Sequence, residues 1–169
     1  MKKKFNNLNE ILAFDLEAMY VAEKKIQRTL TDCIKKIAVK KLKNEFRKYQ
    51  QSAADKRLKL KRVFAYLLVR PSDRKSKPIA KMLAELTAVS ASKTCGELKD
   101  VQFLSTLRTV THYKVAMYAN ARTYSDVLAL TSVSDLLAEI IEWENNTYHS
   151  LGQIGVENVN LKAGKVGME

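Results

Sequence analysis

Apolar residues recur at alternating steps of three and four positions along four long stretches of this chain. In the first stretch, Leu12, Leu16, Met19 and Ile26 follow this spacing. It places apolar side chains on one face of an α-helix, so the sequence predicts four long amphipathic helices. They are expected at about residues 8 to 30, 40 to 69, 98 to 129 and, after an N-cap at Ser132 or Ser134, up to about residue 154.

The connections between these stretches define the arrangement of the helices. Asn6 or Asn7 can cap the first helix, and the segment "RPSDRKSKP" at residues 70 to 78 forms a loop. A shorter apolar pattern at residues 79 to 92 predicts a connecting helix. We therefore expect an all-α fold, an antiparallel four-helix bundle with a short extra helix between long helices 2 and 3. Residues 1 to 156 should form this single domain, followed by a frayed or disordered tail at residues 157 to 169.

Composition supports one soluble helical domain. The 169 residues are 46% hydrophobic, with five Gly and two Pro, which suits long helices around a single core. No run of eighteen apolar residues occurs, and the basic start "MKKKFNNLNE" leads into a charged segment. These features predict a cytoplasmic protein without a membrane partner. Cys33 and Cys95 lack metal-type spacing, so both are expected to be free thiols.

The formal net charge of +12 is concentrated in one part of the chain. Residues 35 to 62 contain twelve Lys or Arg and two acids, a net charge of +10 for that segment. Such a stripe either attracts phosphate backbones or is a solvated basic helix face. The sequence shows no helix-turn-helix, zinc-finger spacing or interleaved aromatic residues that would favour nucleic acid. The candidate anion or nucleic-acid contacts are Lys36, Lys40, Lys43, Arg47, Arg57 and Lys61.

The helical pattern also places several polar residues on the inside of the bundle. In antiparallel helices these positions all fall near mid-length, so they can share one layer. Three interpretations are open: boundary residues that reach solvent, ligands of a metal site, or a buried layer of ion pairs. In the last case each buried charge needs a partner, because an unpaired one costs several kcal/mol by desolvation. The predicted interior cluster consists of Glu23, Tyr49, Lys56, Thr111, Lys114, Glu144 and Tyr148.

Three helical segments resemble the YciE/YciF-like ferritin-like proteins of bacteria, a stress-associated family. The segments are "DLEAMYVAEKKI" (15 to 26), "THYKVAMYANA" (111 to 121) and "LLAEIIEWENNTYHSL" (136 to 151). The likeness covers about residues 8 to 155 and implies a ferritin-like four-helix bundle. It further implies a dinuclear metal centre whose acids and histidines come from all four helices.

The chain departs from the family pattern at most of the implied metal ligands. Tyr49 and Ser52 stand where relatives have His and Glu, and Thr111 and Lys114 stand where relatives have Glu. Of the implied acids only Glu23 and Glu144 clearly remain, while His112 keeps the family's histidine. We therefore expect that the dinuclear site is lost and that no cofactor is bound. The alternative is iron or another divalent metal on Glu23, His112 and Glu144, with Asp55 or Glu142 at the margin.

Three functions remain in competition at this stage. The first is a non-enzymatic, stress-associated structural or binding protein that forms a homodimer and has no catalytic residues. The second is a degenerate metal-binding or ferroxidase-type site, and the third is DNA binding through the basic second helix. The sequence has no Gly-rich phosphate loop, nucleophile elbow or His-Glu-x-x-His run, so no other catalytic class is favoured.

Overall fold

The computed structural model describes residues 4–166 as helices joined by short connections. Within these residues there is no β-strand, so the predicted all-α class is confirmed. After the last long helix the chain makes a π-helical turn, Gly155–Val159. The helices are α1 (Leu8–Lys36), α2 (Lys40–Tyr66), α3 (Lys77–Ala91), α4 (Gly96–Val127), α5 (Thr131–Ile154) and the short α6 (Asn160–Ala163).

The four long helices, α1, α2, α4 and α5, form a closed bundle. Helix α1 packs between α2 and α4, and α5 packs against the same two helices on the other side. Neighbouring helices are antiparallel: Tyr20 of α1 contacts Phe64 near the end of α2, whereas Gln27 accepts a hydrogen bond from Gln50, closer to the start of α2. The same reversal joins α2 to α5, α5 to α4 and α4 to α1.

Helix α3 belongs to the long crossover between α2 and α4. Arg74, just before α3, donates a hydrogen bond to the carbonyl of Phe14 near the start of α1. Farther along, the Cys33 thiol lies 3.7 Å from the carbonyl of Leu86, so α3 runs in the same direction as α1. The crossover therefore returns the chain to the end of the bundle where α4 begins, and the predicted extra helix is confirmed. Cys33 and Cys95 are both free.

Local capping agrees with the prediction at one helix and differs at another. The Asn7 side chain accepts a hydrogen bond from the backbone N–H of Glu10 at 3.0 Å, which caps α1 as expected. The predicted N-caps of the last helix are wrong, because α5 begins at Thr131 after Leu130 and no side chain caps it. Ser134 lies inside the helix, where its hydroxyl accepts a hydrogen bond from Arg122 of α4.

The chain stays helical beyond Ile154. Gly155 opens the π-helical turn, and a Cβ at this position would lie 3.3 Å from the Leu104 side chain, so α4 and the turn pack closely. Val159 is buried against the bundle, and α6 follows. Packing thus keeps residues 157 to 163 helical, where the sequence predicted fraying, while residues 167 to 169 of the predicted tail lie outside the described part. No helix within residues 4–166 is both long and apolar enough to span a membrane.

Asp100 of α4 fixes the tight connection between α1 and α2. Its buried carboxylate accepts hydrogen bonds from the backbone N–H groups of Ala38 at 3.1 Å and Val39 at 2.7 Å. These donors lie between two helices, where neither helix supplies an acceptor. One side chain of α4 thereby satisfies the backbone of the α1–α2 turn.

Replacing Asp100 with Ala should lower the free energy of unfolding by about 2 kcal/mol or more, because two backbone donors lose their acceptor at a largely buried site. Chemical denaturation in urea measures this change. Asp126→Ala is the matched control, since Asp126 is an exposed acid near the end of the same helix. Equal stability of the two variants would contradict the role assigned to Asp100.

Candidate functional site

Six ionisable side chains meet at mid-length in the bundle, and every long helix contributes at least one. All six are buried, with at most 1% of each residue exposed. The apolar face of each helix carries these groups into the core, as the three-and-four spacing predicts. We call this set the central network: Glu23 of α1, Tyr49 and Lys56 of α2, Lys114 and Tyr118 of α4, and Glu144 of α5.

The carboxylate of Glu144 has three partners from two helices. Its Oε1 lies 2.5 Å from the Lys56 ammonium and 2.5 Å from the Lys114 ammonium. Its Oε2 accepts a hydrogen bond of 2.8 Å from the Tyr49 hydroxyl. Glu144 therefore links α5 to both α2 and α4 through charge-assisted contacts.

The ammonium of Lys114 lies between the two carboxylates of the network. Its Nζ is 2.5 Å from Glu144 Oε1 and 2.6 Å from Glu23 Oε1, and it donates a hydrogen bond to the Tyr49 hydroxyl at 3.0 Å. Glu23 Oε1 also accepts a hydrogen bond of 2.7 Å from Tyr118. The second oxygen of Glu23, Oε2, is buried without a hydrogen-bond partner among residues 4–166.

Charge balance and aromatic contacts stabilise the two buried lysines. Two ammonium groups face two carboxylates, so the fully ionised network is neutral. The Nζ atoms of Lys56 and Lys114 also lie 4.4 and 4.9 Å from the centroid of the Tyr49 ring. A cation at this distance is attracted to the face of the ring, which partly replaces lost hydration.

The network controls the protonation of its own members. Burial disfavours the charged form of Glu144, but Lys114 and Lys56 outweigh this effect and lower the pKa of its carboxyl. Burial likewise opposes the charge on Lys114, yet the carboxylates of Glu144 and Glu23 raise its pKa. For Lys56 burial dominates, and its pKa is lowered.

The two tyrosines remain hydrogen-bond donors. Burial, together with the nearby carboxylates of Glu144 and Glu23, raises the pKa values of Tyr49 and Tyr118 well above the ordinary value. A phenol held in this form does not ionise near neutral pH, so neither hydroxyl is a base or nucleophile there. The arrangement therefore favours fixed pairing over proton transfer.

Two residues predicted for the interior cluster lie outside the central network. Thr111 is buried, but its hydroxyl donates to the carbonyl of Arg108 in its own helix at 2.8 Å. Tyr148 is only partly buried and contacts His112, with 5.4 Å between ring centroids. The other five predicted residues belong to the network. Tyr118 is absent from the predicted cluster, although it lies one helical turn after Lys114 on the same face.

The arrangement does not fit a dinuclear metal centre. The Lys114 ammonium lies in hydrogen-bonding contact with both Glu23 and Glu144, where it would repel a cation bound between them. His112 is exposed and contacts Tyr148 rather than either acid. Among residues 4–166, no three His, Cys, Asp or Glu side chains are grouped closely enough to hold a metal ion.

The predicted basic contacts are mostly on the surface. Lys36, the last residue of α1, is exposed. Lys40, Arg47 and Lys61 are exposed along α2. Lys43 and Arg57 are partly buried. The Arg57 guanidinium lies over the ring of Tyr20, 5.4 Å from its centroid, so part of the predicted stripe packs against the bundle.

Comparison with known proteins agrees with this fold. A family model described as a domain of unknown function, DUF892, matches residues 7–164. The Escherichia coli (strain K12) protein YciF is 23% identical over 168 residues, which cover 92% of this chain and 95% of YciF. These matches confirm the predicted resemblance to the YciE/YciF-like proteins.

Solved structures show the same bundle. The crystal structure of the E. coli stress protein YciF matches with a TM-score of 0.88 and 22% identity, over 92% of this chain and 99% of that chain. YcfI from Rhodopseudomonas palustris, provisionally described as a structural protein, matches with a TM-score of 0.85 and 18% identity, over 90% and 97%. The predicted ferritin-like fold is thereby confirmed.

Replacing Glu144 with Gln should destabilise the protein by about 3 to 5 kcal/mol, because two buried ammonium groups would then share only Glu23. Urea denaturation measures the free energy of unfolding. Glu142→Gln is the matched control, an exposed glutamate on the same helix. If the two variants differed by less than about 0.5 kcal/mol, Glu144 would be a boundary residue without a buried partner.

The contribution of Glu144 should also disappear in acid. Its pKa in the folded state is below the ordinary value of 4.5, so its stabilising effect is present above about pH 4.5 and is lost as the pH falls through the lower folded value. The difference in melting temperature between wild type and Glu144→Gln should therefore narrow between about pH 5 and pH 3. A difference that stays constant over this range would refute the lowered pKa.

Proposed function

This chain belongs to the DUF892 family, and we propose that it is a non-enzymatic structural or binding protein in which buried ion pairs replace a metal centre. The observation that carries this proposal is the Lys114 ammonium between the carboxylates of Glu23 and Glu144. An ammonium at this position supplies positive charge to the two acids without a metal ion.

The hydrogen bonds of the network also argue against catalysis. A general base or nucleophile must reach a substrate with a free lone pair. The six groups of the central network are buried, and their shortest contacts are to one another. This pairing stabilises the contacts between the helices and leaves no reactive group of the central network accessible to solvent.

The described roles of relatives point to the same class of function. YciF is described as a stress protein, and YcfI is provisionally described as structural. We extend a stress-associated structural role to this chain, acting as a homodimer in the cytoplasm. Self-association is supported by large apolar side chains exposed on or just after α2, namely Leu58, Tyr66 and Leu68.

DNA binding is a second candidate, favoured by the exposure of the basic face of α2. Lys40, Arg47 and Lys61 are exposed and form no ion pair among residues 4–166. Contacts from these side chains to phosphates would release counterions, which makes such binding strongly dependent on salt.

The purified chain should remain a folded dimer without bound metal. The protein is expressed in medium supplemented with iron and manganese. Dialysis of this protein against EDTA should change its melting temperature by less than about 2 °C, because lysines already balance the buried acids. Elemental analysis and light scattering measure metal content and mass.

About two tightly bound iron, manganese or zinc ions per chain would overturn the proposal in favour of a retained metal site. His112→Ala is the matched control. A degenerate site that used His112 would lose metal in this variant, whereas adventitious surface metal would not change. A monomeric mass would contradict only the proposed homodimer and would not affect the proposal of a metal-free interior.

A further inference from the structure

Five basic side chains line a groove of about 820 Å³ on the outer side of α1. They come from three separate parts of the chain: the second half of α1, the middle of α2 and the connection before α3. One acid, Asp73, also lines the groove. The basic residues are Lys24, Lys25, Arg28, Arg57 and Lys75, so the ionisable side chains of the lining carry a net charge of +4.

These five cations lack ionic partners. None of them lies within 4.0 Å of a carboxylate oxygen among residues 4–166. Like charges that converge on a concave surface raise the local potential and attract anions.

Arg57 has an unsatisfied hydrogen-bond donor within the groove. Its guanidinium lies over the Tyr20 ring, which limits the positions it can adopt. Its Nε is buried and has no hydrogen-bond partner among the described residues. Buried donors are normally satisfied, so an anionic oxygen in the groove would supply the acceptor that the protein does not.

The start of α3 adds to the positive potential. Ser76, Ile79 and Ala80 line the groove, and the Ser76 side chain makes no capping hydrogen bond to the 15-residue helix. The first-turn N–H groups of α3 are therefore not capped by that side chain. The positive end of the helix dipole favours an anion at this place.

We propose that this groove binds a small polyanion that carries two or more phosphate groups. The net charge of the lining and the unpaired donors fit several phosphate oxygens at once. Recognition of a nucleobase by stacking is disfavoured, because Arg57 covers one face of the Tyr20 ring and Phe64 packs against that ring edge-on. The phosphate chain is therefore the recognised part, whether it is an inorganic polyphosphate or a nucleoside polyphosphate.

Calorimetric titration with sodium tripolyphosphate, in dilute buffer without magnesium, tests the proposal. The wild-type chain should bind one tripolyphosphate. The double variant Lys24→Gln/Arg28→Gln should bind about tenfold more weakly, since each lost charged contact contributes about threefold. The matched control is Lys61→Gln/Arg62→Gln, which removes the same charge from the exposed face of α2 outside the groove. This control should bind nearly as the wild type does.

The outcomes separate the possible ligands. The proposed binding in the groove would be overturned if the wild-type chain did not bind tripolyphosphate, or if both double variants lost the same amount of affinity. If the Lys24→Gln/Arg28→Gln variant is unstable, the Lys75→Gln variant, in the connection before α3, gives an independent check. Unchanged tripolyphosphate binding by Lys75→Gln would also contradict binding in the groove. A parallel titration with ATP distinguishes the nucleotide from the inorganic form, and tighter binding of either one supports the proposal. The basic surface would instead be assigned to nucleic acid if duplex DNA bound more tightly than tripolyphosphate and if only the Lys61→Gln/Arg62→Gln control weakened DNA binding.

Discussion

The rest of the bundle depends on the Lys114 ammonium being shared by Glu23 and Glu144. Through these contacts one cation joins α4 to α1 and α5, and the partners of Glu144 on α2 complete the ring of four helices. Apolar packing alone tolerates small shifts of one helix along another, since one aliphatic contact can replace another. A buried charge has no such tolerance, because losing its partner costs several kcal/mol. We infer that the central network sets the register of the helices at mid-length.

The sequence predicted the fold and most of the central network because both follow from helical periodicity. Alternation of three and four residues puts Glu23 and Glu144 on the buried faces, and the structure places both there. Periodicity does not show in which direction a side chain points, or whether it forms a hydrogen bond within its own helix instead of with another helix. Thr111 satisfies its hydroxyl within its own helix, and Tyr148 lies at the edge of the buried face. The predicted cluster omits Tyr118, because periodicity alone does not show which tyrosine hydroxyls have a partner.

The basic groove could not be predicted because its cations are distant in sequence. The dense segment at residues 35 to 62 draws attention by its composition, yet only Arg57 of that segment lines the groove. Lys24, Lys25 and Arg28 lie on α1, and the crossover places Lys75 beside them. The continued helix after Ile154 has a similar cause: Gly155 and Val159 pack against the bundle, a tertiary contact that the local Gly-rich composition does not reveal.

Charge balance explains why the ionisable residues of the network belong together. The central network sets two acids against two ammonium groups, so the fully ionised network is neutral. Removing one of these charged groups would leave a buried charge uncompensated. Glu23, Lys56, Lys114 and Glu144 are therefore energetically coupled, and the effect of any one substitution depends on the other three.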